Sequence, residues 1–320
     1  MVILTDIGGL QAVLDNVYST MIVHCADLIQ LAQGIAAFAS LCYLSYQLWP
    51  AIARNEPIDI LPLLRPFALS LLIVLFPALI ALINGVLQPT VTGTAALVGD
   101  SNQAITTLLQ QKQDALQHSN DWQMYVNTDG SGSLDKWEAL SGEADSGMFS
   151  GLSNRVKFEM AKTSYNMKNS VKVGLSETLQ LLFEASSLCI NTIRIFFLII
   201  LAIFGPLVLA FSIFPGLSHV LLHWLTKYIN VFLWLPIANI LGSLIGQVQQ
   251  EMIKLDISQL NSSGQTSFGT TDAAYIIFLL LSIVSYFTVP SITNYIVNAG
   301  GDSFSQINTW VRGKFSRLAI

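Results

Sequence analysis

Long uncharged apolar runs alternate with short polar stretches along this chain, and the runs have the length of membrane crossings. A helix needs about 20 mostly apolar residues to cross the hydrocarbon core. No residue between Asp27 and Arg54 is charged, and Leu28 to Trp49 supplies a first span. Nothing between Arg65 and Asp100 is charged either, which places a second span over Pro66 to Gln88. The uncharged run from Arg194 to Lys227 exceeds one crossing, and Gly205-Pro206 and Phe214-Pro215-Gly216 punctuate it. The pattern predicts a third span at Asn191 to Phe214, then a short interfacial or re-entrant piece from Gly216 to Thr226. Tyr228 to Gln247 and Ala273 to Tyr295 complete five spans, or six if the Pro215 region crosses by itself. Pro77, Pro206, Pro236 and Pro290 fall inside these runs and predict kinks.

Outside the spans the period becomes amphipathic. Leu10, Leu14, Val17 and Met21 recur at helical spacing and predict a helix resting on the membrane or on a partner. From Ser153 to Thr192, Phe158, Ala161, Tyr165, Val171, Leu175, Leu179 and Leu182 follow roughly helical spacing, decorated by Arg155, Lys157, Lys162, Lys168 and Lys172. They predict a long amphipathic helix running into the third span. In the tail, Phe304, Ile307, Val311, Phe315 and Leu318 lie beside Trp310, Arg312, Lys314 and Arg317, the pattern of an interfacial helix on an anionic surface.

Composition agrees with this reading. The 320 residues are 52% hydrophobic and only 11% charged, against about 25% charged in soluble domains. A soluble enzyme of this make-up would expose too much apolar surface. The fold class expected is all-α, a polytopic helical membrane protein with about five transmembrane helices and a large, mostly helical periplasmic loop. Charge placement gives the orientation. Arg54, Arg65, Lys227, Arg312, Lys314 and Arg317 fall on one side and Lys254 on the other, so the rule that basic residues stay inside puts the N-terminus outside and the C-terminus inside, which would be periplasm and cytoplasm in a bacterial inner membrane. Met1 to Leu10 has no Lys or Arg, so no cleavable signal peptide is expected. The organisation expected is a periplasmic amphipathic segment (1–27), two spans (28–88), the large periplasmic loop (89–190), three kinked spans with an interfacial piece (191–300) and a basic cytoplasmic tail (301–320).

Catalytic equipment is missing from the pattern. There is no Gly-rich phosphate loop ending in Gly-Lys-Ser/Thr, no Gly-x-Ser-x-Gly and no His-Glu-x-x-His. No enzyme activity, catalytic residue, cofactor or metal site is expected. His219 and His223 stand four apart with no carboxylate to complete a metal set; beside Trp224 they read as interfacial histidines. Cys25, Cys42 and Cys189 have no metal spacing, although Cys25 and Cys189 could meet near one outer face. The basic stripe of residues 155–172 suits an anionic partner such as DNA, but no interleaved aromatic residues form a stacking platform, which favours a solvated face. Asn127-Thr128-Asp129-Gly130-Ser131-Gly132-Ser133-Leu134-Asp135-Lys136-Trp137-Glu138 matches the twelve-position EF-hand calcium loop, with Asn127 in place of the usual Asp. A Gly/Ser-rich turn leading into a helix is the other reading of that stretch. Within the spans the polar residues are mostly uncharged, among them Gln30, Gln33, Gln47, Asn84, Asn191, Asn230, Asn239 and Asn294. Such groups face helix neighbours or an aqueous path; in the second case Gln30, Asn84, Asn230 and Asn239 are candidate lining residues.

Three stretches carry a family resemblance. Met160-Ala-Lys-Thr-Ser-Tyr-Asn-Met-Lys-Asn-Ser-Val-Lys with Leu181-Leu-Phe-Glu-Ala-Ser-Ser-Leu-Cys, Tyr228-Ile-Asn-Val-Phe-Leu-Trp-Leu-Pro-Ile-Ala-Asn, and Tyr286-Phe-Thr-Val-Pro-Ser-Ile-Thr-Asn-Tyr-Ile-Val-Asn-Ala-Gly-Gly resemble the TraJ family of Bacteroidetes conjugative transposons. Asp121-Trp-Gln-Met-Tyr-Val is similar to the family's sequence before its variable loop segment. That family resembles the TrbL-like inner-membrane subunits of type IV secretion systems. The resemblance implies a subunit of the machinery that exports a relaxase-bound DNA strand in mating-pair formation. It implies a homo-oligomeric ring at the base of a periplasmic stalk, supporting pilus or stalk assembly. Implied partners are stalk and pilus subunits, separate ATPases, other inner-membrane components, membrane lipid and, in transit, single-stranded DNA. Translocation pore and assembly platform both fit. From composition alone, a secondary transporter for a small solute is the alternative, although no inverted repeat or mid-membrane acid accompanies it.

Overall fold

The computed structural model describes residues 13–14, 16–21, 25–55, 57, 60–127, 130–141, 150–263 and 270–297, and no strand occurs among them. After a short helical stretch at 16–21 come α1 (Cys25–Arg54), α2 (Ile60–Val74), α3 (Phe76–His118), α4 (Asn120–Tyr125) and α5 (Leu134–Ser141). They are followed by α6 (Ser150–Ser212), α7 (His219–Phe232), α8 (Trp234–Ser263), α9 (Thr270–Tyr286) and α10 (Val289–Val297). Among the described residues four stretches are long and apolar enough to cross a membrane, and five if the bent pair α9–α10 counts as one span. This is an all-α polytopic membrane protein. The expected tail helix at 301–320 lies outside the described residues.

Proline decides where apolar helices break. Proline has no N–H to offer the carbonyl four residues back. Pro77 leaves Ile73 without that donor at the α2–α3 junction, Pro236 does the same to Phe232 at α7–α8, and Pro290 to Tyr286 at α9–α10, where the axis bends by 49°. Helical bonding resumes at once, with Leu79 N–H on the Leu75 carbonyl, Ile237 on Leu233 and Ile292 on Thr288. The expected second span therefore straddles α2 and α3. The fourth begins inside α7, which also takes in most of the expected interfacial piece, and is interrupted at Leu233. Gly205-Pro206 makes no break: α6 runs on to Ser212, and the chain turns at Gly216, whose φ is +88°.

The length of the helices carries them beyond one bilayer. At about 1.5 Å per residue, the 43 residues of α3 reach about 65 Å and the 63 of α6 about 95 Å, against about 30 Å of hydrocarbon. In α3 and α8 the apolar residues come first and the polar ones last; in α6 the order is reversed. Connectivity thus brings the polar ends of α3 and α8 and the polar start of α6 to the same side.

The chain divides into two compact units. The first joins Met1–Thr94, Ser187–Ala238 and Phe287–Ile320; the second joins Ala95–Ser186 and Asn239–Tyr286. This division cuts across the one drawn from membrane crossings, because the last part of α8 and all of α9 associate with the stretch expected as the large loop. In the first unit the N-terminal amphipathic helix packs on α6. Leu14, 7% exposed, packs on Ile195 and Ile199 of α6, with Val17, Tyr18 and Ile203 around them. The face formed by Leu14 and Val17 is thus covered by the apolar half of α6.

Candidate functional site

The first unit holds a closed ring of polar side chains among apolar helices. Tyr228 of α7, fully buried, donates its hydroxyl proton to Asn84 Oδ1 of α3 at 2.9 Å. Asn84 Nδ2 donates to the Tyr18 hydroxyl at 2.9 Å, which leaves the Tyr18 proton for the Tyr228 oxygen 3.0 Å away. Every member of the ring both donates and accepts. In hydrocarbon an unmet polar group costs several kcal/mol, so closure is what allows three such groups to sit together. Tyr228→Phe removes the donor to Asn84 and is expected to destabilise the protein by about 1 kcal/mol, the scale of single hydrogen bonds between membrane helices. With Asn84→Leu the two losses should be clearly less than additive in a double-mutant cycle of thermal unfolding in detergent. Strict additivity would show that the two side chains act independently.

Neighbouring polar groups are bonded in the same way. Buried Arg194 donates Nε–H to Asn191 Oδ1 at 3.0 Å, and its guanidinium carbon lies 6.0 Å from the centre of the Phe232 ring. Trp234 Nε1 donates to Asn230 Oδ1 at 3.2 Å across the α7–α8 break. Arg65 donates to the Ser212 carbonyl at 3.2 Å while lying over the Tyr43 ring. Trp224 Nε1 donates to the Leu201 carbonyl at 2.9 Å, and the Trp224 and Phe76 rings close on Gly205. None of these contacts couples a nucleophile to a base; what they do is fix helix against helix.

In the second unit α3 and α8 run side by side in the same direction. Gly242 faces Val98, Gly246 faces Ser101 and Ile105, and Lys112 pairs with Asp256 at 2.6 Å. Ser101 and Ser243 hydroxyls lie 3.3 Å apart, and Gln250 Nε2 donates to the Ser101 carbonyl at 3.4 Å. Small residues at 243 and 246 allow this approach, as they do between membrane helices, and Gly242 makes room for the Tyr286 hydroxyl of α9. Gln249, 5% exposed, has an amide nitrogen without a partner among the described residues.

A second feature of this unit is an aromatic knot. Met124, Trp137 and Phe158 are buried together, with Tyr125 and Leu134 packed on them. Tyr125 stacks on Tyr165 at 4.9 Å between ring centres, and burial together with the Asp121 carboxylate raises its hydroxyl pKa. The loop between α4 and α5 is the one that matches the EF-hand pattern. Gly130 and Gly132 have φ of +75° and +73°. Gly132 N–H bonds the Val126 carbonyl and Ser133 N–H the Met124 carbonyl. Lys162 donates to the Ser131 carbonyl at 2.6 Å, and Glu138 accepts from Asn154. Thr128 and Asp129 lie outside the described residues, and no cluster of three or more metal-ligating side chains occurs among those described. The bonds of Gly132 and Ser133 to the Val126 and Met124 carbonyls tie the described part of this loop back to the end of α4.

A family model described as homologues of TraJ from Bacteroides conjugative transposon matches residues 5–318, almost the whole chain. The chain belongs to this TraJ family. No curated protein matches it. Membership points to a component of conjugative-transposon transfer. The residues singled out in this TraJ-family chain by sequence are spread over both units. Asn84 and Asn230 are hydrogen-bonded within the first unit, Gln30 is exposed on α1, and Asn239 falls in the second unit on α8. His219 bonds the Gly216 carbonyl through Nδ1, and His223 is exposed. Cys189 is a free, exposed cysteine, and the Cys25 side chain lies outside the described residues. Tyr18 and Tyr228 were not selected by sequence reasoning. Tyr228 opens an apolar helical run and Tyr18 stands among polar residues of an amphipathic one, positions that an interfacial tyrosine occupies equally well.

Proposed function

We propose that this TraJ-family protein is an inner-membrane scaffold subunit of a conjugative type IV secretion apparatus. It is similar in role to TrbL-like subunits, works as an oligomer without enzyme activity of its own, and is powered by separate ATPases. Its N-terminus is periplasmic and its C-terminus cytoplasmic. The observation that carries this reading is the family match over residues 5–318. The bonding of Asn84, Tyr228, Asn191 and Asn230 to protein neighbours favours a platform over a water-lined pore. Partners are expected among stalk, pilus and other inner-membrane subunits, with DNA passing close by. Deleting the gene while leaving the rest of the element intact should abolish DNA transfer in a mating assay, and supplying the chain in trans should restore it. Transfer at the undiminished rate in the deletion strain would overturn the proposal.

A further inference from the structure

One exposed face of α7 is basic at a depth where the exposed side of its neighbour is apolar. His219, His223 and Lys227 recur every fourth residue and are all exposed, while Trp224, Tyr228, Val231 and Phe232 of the same helix are buried. The helix belongs to the crossing stretch His219–Ser262, and its contacts with α6 fix its depth. Trp224 donates to the Leu201 carbonyl and closes on Gly205, and Phe232 lies by the Arg194 guanidinium. His223 adjoins the first of these levels and Lys227 falls between the two. Both therefore stand beside the uncharged run Ile195–Phe214, which has the length of one crossing. The contacts carry them deeper than the interfacial position expected from sequence. Exposed residues of α6 in that run, Phe196, Ile200, Phe204 and Phe211, are apolar, as lipid requires. Lipid does not suit His223 and Lys227, which need polar partners there whether charged or neutral. Neither makes a hydrogen bond or ion pair with a described residue.

We propose that this face receives a membrane-spanning helix of a different protein, one that carries an aspartate or glutamate opposite His223 and Lys227. This deepens the proposed function and rests on it, because the helix would come from another membrane subunit of the transfer apparatus. Charge complementarity selects the occupant. A carboxylate supplies both the acceptor and the opposite charge that Lys227 lacks, and the low dielectric between helices strengthens such a pair relative to water. A second copy does not supply it, since Leu28–Trp49, Pro66–Gln88, Ile195–Phe214, Gly216–Gln247 and Ala273–Tyr295 contain no Asp or Glu. Phospholipid phosphates do not supply it either, because they lie at the membrane surface, beyond the hydrocarbon that the run crosses. Leu222, 62% exposed beside His223, gives the same face an apolar flank for the rest of the helix.

Photocrosslinking in donor cells that carry the complete element tests this with the full-length chain. Benzoylphenylalanine in place of His223 is expected to capture a different protein, through a membrane-spanning segment that contains Asp or Glu when mapped by mass spectrometry. The same group in place of Phe204, on the exposed apolar side of α6, is the control and should capture that segment several-fold less. Lys227→Glu should lower DNA transfer several-fold, and changing the mapped acid to lysine should restore it. Where Lys227→Glu does not accumulate, Lys227→Leu, which suits lipid better, should accumulate and lower transfer several-fold, while Lys227→Arg keeps it. Capture of nothing but lipid or a second copy, equal capture from both positions, a mapped segment without an acid, or transfer unchanged by Lys227→Leu would each overturn the pairing. So would equal labelling of Lys227→Cys by a charged thiol reagent with and without the other genes of the element, in a chain whose other cysteines are serine, because water would then fill the face. Unchanged transfer with Lys227→Leu beside abolished transfer in the deletion strain sinks the pairing and leaves the proposed function standing.

Discussion

Gly205→Ala is expected to separate α6 from α3 and α7 and to lower the stability of the first unit more than any other single methyl group added to it. A Cβ at residue 205 would overlap the Phe76 ring and come within 2.9 Å of the Trp224 ring. Neither ring has room to retreat. Phe76 is fully buried, Trp224 is 5% exposed, and the Trp224 indole is tied to the Leu201 carbonyl on the preceding turn of the same α6 helix. Overpacking of this kind costs about 1–3 kcal/mol and sometimes more. The expected result is a lower unfolding midpoint in detergent, less folded protein in the membrane and a matching loss of DNA transfer. Combining Gly205→Ala with Phe76→Leu should recover part of the loss, because the smaller side chain gives way. If Gly205→Ala leaves the midpoint unchanged, Gly205 does not hold the two rings against α6.

Gly132→Ala is the corresponding expectation for the second unit, and here two penalties act together. The residue sits at φ +73°, where an L side chain costs about 1–2 kcal/mol. Its Cβ would also lie 2.8 Å from the Met124 carbonyl oxygen and 3.1 Å from that of Tyr125. The Met124 carbonyl cannot yield without losing the bond from Ser133 N–H that closes the turn. Gly130→Ala is the control, since it shares the positive φ but a Cβ there meets nothing within 4 Å. Hydrogen exchange over residues 120–141 should accelerate strongly in Gly132→Ala and modestly in Gly130→Ala. Equal protection in the two variants would mean that the contacts with Met124 and Tyr125 do not constrain the knot.

Much of the fold can be read from where charge is missing. A run without charge across Leu28–Trp49 or Ile195–Phe214 can meet its backbone hydrogen bonds in hydrocarbon only as a helix, and α1 and the apolar half of α6 follow from that alone. The prolines mark junctions in the same local way at Pro77, Pro236 and Pro290, although Pro206 leaves α6 unbroken. The candidate polar residues could be recognised as needing partners, but which partner each takes could not be read. Asn84 and Asn230 fit a pore lining and a helix contact equally well as sequence.

The sequence by itself determined the helical class, the membrane crossings and the family, because these depend on local composition and on motifs held in short stretches. Only the tertiary structure decided the pairings. Tyr18 meets Tyr228 across 210 positions and Lys112 meets Asp256 across 144. It also decided that the N-terminal helix packs on α6. Contacts of that kind depend on how each helix is rotated and set in height against its neighbours, and the period of one helix fixes its faces without saying what lies against them.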